Sequence, residues 1–174
     1  MHHYKFCPLC SEKMVKRIPA EEVDERLVCA NCGFIWYNNP VPACGVLITD
    51  KDGKVLLAKR KYPPKAGDWT LPAGFMESHE GPEECAIRET LEETGLAVKL
   101  KGILNAYKGG DDPRTKVVLI IYLAEVVSGK LEPGDDASEL RYFDFNELPR
   151  NIAFSAHVRA IADYRENHHK PCAH

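Results

Sequence analysis

Apolar residues in this chain fall into short runs divided by turn-forming residues, and their spacing shifts between strand-like and helical periods. Ala43 to Thr49 is a nearly unbroken apolar run and predicts a strand. Asp50-Lys51-Asp52-Gly53 supplies turn residues, and Val55 to Lys59 returns as a second strand, so the two predict a hairpin. Tyr62 to Asp68, with two prolines and a glycine, reads as a loop. Pro82 and Gly95 bracket a helix, the first where a missing N–H costs little and the second as a C-terminal stop. Lys116 to Val127 is the most apolar run and predicts a buried central strand; Leu140 to Phe145 predicts another. From Ser155 to Arg165, Val158, Ile161, Ala162 and Arg165 recur at helical spacing, with Ser155 placed as an N-cap. His168 to His174 shows no period and predicts a frayed tail. Residues 39–167 therefore form a mixed α and β domain, set off by the stiff Asn39-Pro40-Val41-Pro42 segment.

Ahead of that domain the pattern gives way to cysteines. Cys7-Pro8-Leu9-Cys10 and Cys29-Ala30-Asn31-Cys32, eighteen residues apart, have the spacing of a zinc ribbon. Each C-x-x-C turn directs two thiolates at one ion, and two such turns complete a tetrahedral four-cysteine site. Gly33 supplies the positive φ that such a turn needs. Four thiolates leave no open position, which makes the Zn²⁺ structural; iron shares the same ligand type. Residues 1–38 are thus expected to be a small metal-stapled unit. Cys44, Cys85 and Cys172 stand outside it, the first two reading as small buried hydrophobes.

Composition narrows the functional classes. The 174 residues carry a formal net charge of −3, which gives no electrostatic case for nucleic acid or an anionic membrane. Within residues 1–40 five cations (Lys5, Lys13, Lys16, Arg17, Arg26) meet five anions (Glu12, Glu21, Glu22, Asp24, Glu25), a poor reader of phosphate backbones. No apolar run approaches the ~20 residues of a membrane span, and MHHYKFCPLC lacks a signal-peptide core. The expected setting is the cytoplasm, with no membrane or nucleic-acid partner.

The chemistry concentrates in GFMESHEGPEECAIRETLEETGL, residues 74–96. Glu89, Glu92 and Glu93 stand at i, i+3 and i+4, so their carboxylates leave one side of the helix and repel one another. A bound cation offsets that repulsion; a solvated acidic face is the plainer alternative. The spacing of Gly74, Glu80, Arg88-Glu89, Glu92-Glu93 and Gly95-Leu96 resembles the Nudix box. Thr90 departs from it, standing where that family usually has an aliphatic residue.

That resemblance implies an α+β fold of the Nudix type, an α/β/α sandwich. It also implies a Mg²⁺ (or Mn²⁺) site formed by Glu89, Glu92, Glu93 and the backbone carbonyl of Gly74 or Ala73. Glu80 and Arg88 match the positions that pair to brace the loop against the helix. The implied reaction is hydrolysis of a diphosphate bond by water. Its general base is expected in Glu93, or in the loop Glu132 to Glu139, with Glu139 first and Asp136 second. Across most of the chain, the ribbon followed by GDWTLPAGF, the box and LPRNIAFSAHVRAI resembles ribbon-bearing ADP-ribose/FAD pyrophosphatases. The resemblance therefore implies a nucleotide substrate such as ADP-ribose or FAD, with release of AMP, and leaves a homodimer open. NADH pyrophosphatases share the ribbon, but their Ser-Gln-Pro-Trp-Pro-Phe-Pro signature has no counterpart here; a nucleotide-sensing regulator without hydrolysis is the other alternative. Pro113, seventeen residues past Leu96, is a slight pointer to ADP-ribose. Arg60 and Arg114, with Lys61, are expected to meet phosphates. Tyr107, Tyr142 and Phe143 are placed either to stack on a base or to fill the core.

Overall fold

The computed structural model describes residues 4–112, 115–134 and 136–167; the expectations for Pro113, Arg114, Cys172 and the tail lie outside them. Contacts divide the chain into two units, Met1–Pro40 and Val41–His174. In the first, β1 (Met14–Arg17), β2 (Arg26–Cys29) and β3 (Ile35–Trp36) form an antiparallel sheet in that order. Its core is little more than Cys7, Met14 and Cys29, with Leu27, Phe34 and Trp36 against them. So small an apolar core needs a staple, and two of its members are cysteines of the paired turns.

In the second unit, the runs that form β4 (Val41–Ile48) and β5 (Val55–Arg60) are buried along most of their length. β4 lies inside a four-stranded sheet of order β7-β4-β9-β8, where β7 is Ala73–Phe75, β8 is Leu96–Gly109 and β9 is Val117–Gly129. β4 and β9 run parallel, while β7 and β8 pair antiparallel with their neighbours. A second sheet, of order β10-β5-β6, holds β5, β6 (Trp69–Thr70) and β10 (Ala137–Phe143). Alternation along the strands feeds two separate cores. Ala43, Leu47, Leu57, Leu119 and Ile121 pack towards α2 (Ser155–Asn167), with Ala156, Ala160 and Ile161. Cys44, Val46, Ile48, Leu56 and Tyr122 pack towards α1 (Pro82–Thr94), with Cys85 and Ala86. A helix on each side of the strands makes the α/β/α sandwich expected from the sequence.

Three expectations are corrected, and one strand appears that the pattern did not predict. The β4–β5 hairpin closes only through its turn and the single Thr49–Val55 bridge, because β4 pairs on both edges with β7 and β9, and β5 with β10 and β6. β8 had no counterpart in the hydrophobic pattern. Its register shifts at Ala97/Val98, Leu100/Gly102 and Ile103/Asn105, and those bulges erase a clean two-residue period. Ser155 does not cap α2 with its own side chain. The Asp111 carboxylate accepts both the Ser155 N–H (3.1 Å) and hydroxyl (2.9 Å), while the Phe154 carbonyl accepts from His157 and Val158. On α2, Val158 and Ala162 are exposed; Ala156, His157, Ala160 and Ile161 face inward.

Pro82 and Gly95 do bound α1. Glu84 reaches back to the Gly81 N–H (2.8 Å), and Gly95 at φ 71° donates its N–H to the Leu91 carbonyl. Tyr107 and Phe143 belong to the core, the first donating to Asp163 (2.8 Å) and the second meeting Trp69 edge-on, while Tyr142 packs against the other core. Among the described residues no helix is long and apolar enough to cross a membrane.

Candidate functional site: four thiols and a clamped glutamate turn

The four cysteines converge. Sγ separations are 3.6 Å for Cys7–Cys32, 3.4 Å for Cys10–Cys29 and 3.5 Å for Cys10–Cys32, and all four atoms lie within 4.8 Å of one another. A disulfide needs about 2.05 Å. Tetrahedral ligation at a Zn–S distance of about 2.3 Å places sulfurs just under 4 Å apart, so the donor set and its size fit zinc. Each turn donates a backbone N–H to a sulfur, Leu9 to Cys7 and Cys32 to Cys29, both at 3.4 Å. After each second cysteine comes a left-handed residue: Gly33 at φ 76°, as expected, and Ser11 at φ 61°.

In the second unit, α1 presents its glutamates to the β7 backbone. Arg88 is the organising cation. It donates to Glu80 twice (2.9 and 2.6 Å), to Glu89 (2.8 Å), to Glu92 (2.9 Å) and to the Phe75 carbonyl (3.2 Å). The bidentate Arg88 contact, followed by the Glu77 N–H, holds the Glu80 carboxyl down at about 2. Burial raises the Glu89 carboxyl against the pull of Arg88. Glu93 turns the other way and accepts the Ala73 N–H at 3.1 Å. Burial pushes its carboxyl up to about 8; the Ala73 N–H opposes this, Glu89 and Asp136 add to it, and Arg60 opposes it.

Gly74 is what lets helix and strand meet. A Cβ at this position would sit 2.1–2.3 Å from the Glu89 carboxylate atoms, so the carboxylate occupies the space a side chain would fill. The Gly74 carbonyl points at Cys85, whose thiol donates to it at 3.8 Å. Cys44 and Cys85 are fully buried, as expected of small hydrophobes, and burial raises both thiols. Thr90 is also buried; its hydroxyl donates to the Ala86 carbonyl at 2.6 Å, which removes its polarity from the core. The thiols are the cluster of His, Cys, Asp or Glu ligand atoms that lies within metal-binding reach among the described residues. The glutamates instead ring Arg88 and Ala73, an all-oxygen donor set beside a backbone carbonyl, which suits a hard divalent cation.

The other sequence candidates separate. Glu139 lies on β10 rather than on the preceding loop, held by Lys59 (3.4 Å) and Arg141. Burial raises its carboxyl, and the Arg141 and Lys59 contacts more than reverse this, leaving it lowered. Asp136 stays on the loop and adds to the field at Glu93. Arg60 is pinned by the carbonyls of Pro64 (2.9 Å) and Tyr62 (3.5 Å) and lies over the Phe154 ring at 5.1 Å. Lys61 sits instead over Tyr62.

One residue had no signal in the sequence. His157, 6% exposed, accepts the Leu71 N–H at Nδ1 (3.2 Å), and the Thr70 hydroxyl lies 3.0 Å from the same nitrogen. Burial, with Arg60 adding to it, lowers this imidazole to about 4, so it is neutral at pH 7. Its partners lie 86 and 87 positions away in the chain, beyond the reach of local pattern. Arg60, Gly74, Phe75, Asp111, Phe154 and His157 border one cavity of about 240 Å³.

Comparison with known proteins agrees with this geometry. The NUDIX domain family model matches residues 39–164, and the Nudix N-terminal zinc-ribbon model matches residues 5–38. The chain is 45% identical over 129 residues to an ADP-ribose pyrophosphatase of Methanocaldococcus jannaschii, a match covering 74% of this chain and 75% of that one. It is 29% identical over 162 residues to the NAD-capped RNA hydrolase NudC of Pseudomonas aeruginosa, covering 92% of this chain but only 55% of the relative's length. A NUDIX hydrolase from Nitrosomonas europaea superposes with a TM-score of 0.81 at 34% identity, covering 98% of this chain and 97% of that one.

Proposed function

This chain belongs to the Nudix hydrolase family, and from that premise we propose that it hydrolyses the diphosphate bond of an ADP-containing nucleotide such as ADP-ribose or FAD, releasing AMP. The observation that carries the reading is the meeting of Gly74 and Glu89, where the carboxylate fills the space of the missing side chain on a strand that borders the cavity. The 45% identity to an ADP-ribose pyrophosphatase supports the choice of substrate. Glu89, Glu92, Glu93 and the Gly74 carbonyl would hold Mg²⁺ or Mn²⁺. Such a cation supplies charge neutralisation for the diphosphate and acidifies the attacking water. Arg88 and Glu80 fix the loop that carries Gly74. Arg60, which borders the cavity, is our first candidate to meet the phosphate, and Arg114 is the second. Glu93 is our choice of proton acceptor. Asp136 comes next because its charge acts on Glu93, and Glu139 falls behind because two cations already hold it. The four cysteines of the ribbon would hold Zn²⁺ as a closed, structural site.

Divalent-cation-dependent release of AMP from ADP-ribose tests the reading. The Glu92→Gln variant should lose turnover while its circular dichroism spectrum is unchanged, since Glu92 is more than half exposed and supports no core. Normal hydrolysis by that variant would remove the metal assignment. The NudC relative aligns over 92% of this chain, which supports NADH as a second substrate reading. A panel of ADP-ribose, FAD and NADH ranks them directly.

A further inference from the structure

We infer that His157 reads the nucleobase of the substrate, donating from Nε2 to a ring nitrogen of an adenine seated in the cavity between β7 and the start of α2. This rests on the reading above for the identity of the base. An amide N–H can only donate, so Nδ1, which takes the Leu71 N–H, is the acceptor, and the single proton of the neutral ring sits on Nε2. Nε2 has no hydrogen-bond partner among the described residues. No buried side-chain nitrogen or oxygen among them lacks a partner, so Nε2 is not sealed in the core, and we place it on the cavity that His157 lines. A donor fixed on one side by Leu71 and open on the other is a group held ready for an acceptor.

The cavity selects the kind of acceptor. Ala43, Val117, Leu119 and the Phe154 ring make its walls largely apolar. A sugar placed there would leave several hydroxyls without partners, whereas a flat base buries its faces and keeps its polar atoms at the edge. At about 240 Å³ the space lies below the range of whole drug-sized ligands and suits one ring system. Asp111 stands at the same cavity, and only one of its carboxylate oxygens is taken, by Ser155. A donor beside an acceptor complements adenine, whose ring nitrogens flank an exocyclic amine. Gly74 borders both the cavity and the Glu89 carboxylate, so a base held here leaves its phosphates beside the glutamates.

The test is calorimetric binding of AMP and of its 1-deaza, 3-deaza and 7-deaza analogues to the intact protein, each analogue lacking one ring acceptor. One analogue alone should bind tenfold or more weaker, because it leaves the buried N–H unpaired. The His157→Ala variant, checked for folding by thermal melting, should bind all four alike. Equal binding of all four to the unaltered protein overturns the inference, as does a tenfold loss on removing a ribose hydroxyl with none in the deaza series. Turnover of ADP-ribose is measured separately. A protein that discriminates among the AMP analogues yet releases no AMP from ADP-ribose sinks the proposed reaction and leaves the base contact standing.

Discussion

Gly74 has no room for a methyl group, and that single fact ties the strand to the glutamates. In Gly74→Ala the Glu89 carboxylate must move away from the β7 backbone. A displacement near 1 Å at a reacting centre lowers turnover on the order of 100-fold, and steady-state kinetics should show that loss with little change in the unfolding midpoint. His157 yields a different kind of prediction. Its imidazole is lowered to about 4 in the folded protein against 6.5 for an unperturbed histidine. The unfolded chain therefore takes up a proton below pH 6.5 that the folded chain refuses until about pH 4. Stability should fall across that window by roughly 3 kcal/mol, and His157→Gln should flatten that part of the denaturation profile. An equal slope in the variant would assign the loss to carboxylates instead. The common face of Glu89, Glu92 and Glu93 was legible from spacing, because one helical turn fixes their relations, whereas the Glu80–Arg88 pair was implied by the resemblance. His157 was legible from neither, because its meaning comes from a backbone N–H 86 positions earlier.

At the scale of elements, the C-terminal end of α1 is clasped by the loop that follows β9. Glu132 donates its N–H to the Thr94 carbonyl and Gly134 to that of Glu93. Gly134 lies so close that a Cβ there would sit 1.8 Å from the Glu92 carbonyl oxygen. Gly134→Ala should push the loop off the helix, costing about 1–3 kcal/mol and lowering the melting temperature by several degrees in a thermal scan. An unchanged midpoint would mean that the loop moves freely. The loop also carries Asp136, so the same variant should alter the setting of Glu93. The ends of α1 were readable because Pro82 and Gly95 act through local backbone geometry. β8 was hidden because its bulges are chosen by pairing with β9 and not by its own sequence. The β4–β5 hairpin was overpredicted for the converse reason: a good turn does not decide which strands fill the edges beside it.

For the whole molecule, the two units rest on different forces. Residues 41–167 have two apolar cores, whereas the first unit has one small cluster built on Met14 and two cysteines, Cys7 and Cys29. Removal of zinc by a chelator should therefore abolish hydrogen-exchange protection in β1 to β3 while β4, β9 and α1 keep theirs. Retained protection in the ribbon would show that the metal is dispensable there. The pairing of Arg88 with Glu80 came from the family resemblance; the sequence by itself determined the two C-x-x-C turns, the glutamates on one side of α1 and the ends of that helix. Each of these depends on spacing within one or two turns, where backbone geometry leaves little choice. Only the tertiary structure decided which strands are neighbours, which carboxylates act on Glu93, and that His157 lines a cavity with Gly74. Those relations join residues far apart in the chain, and packing, not local period, selects them.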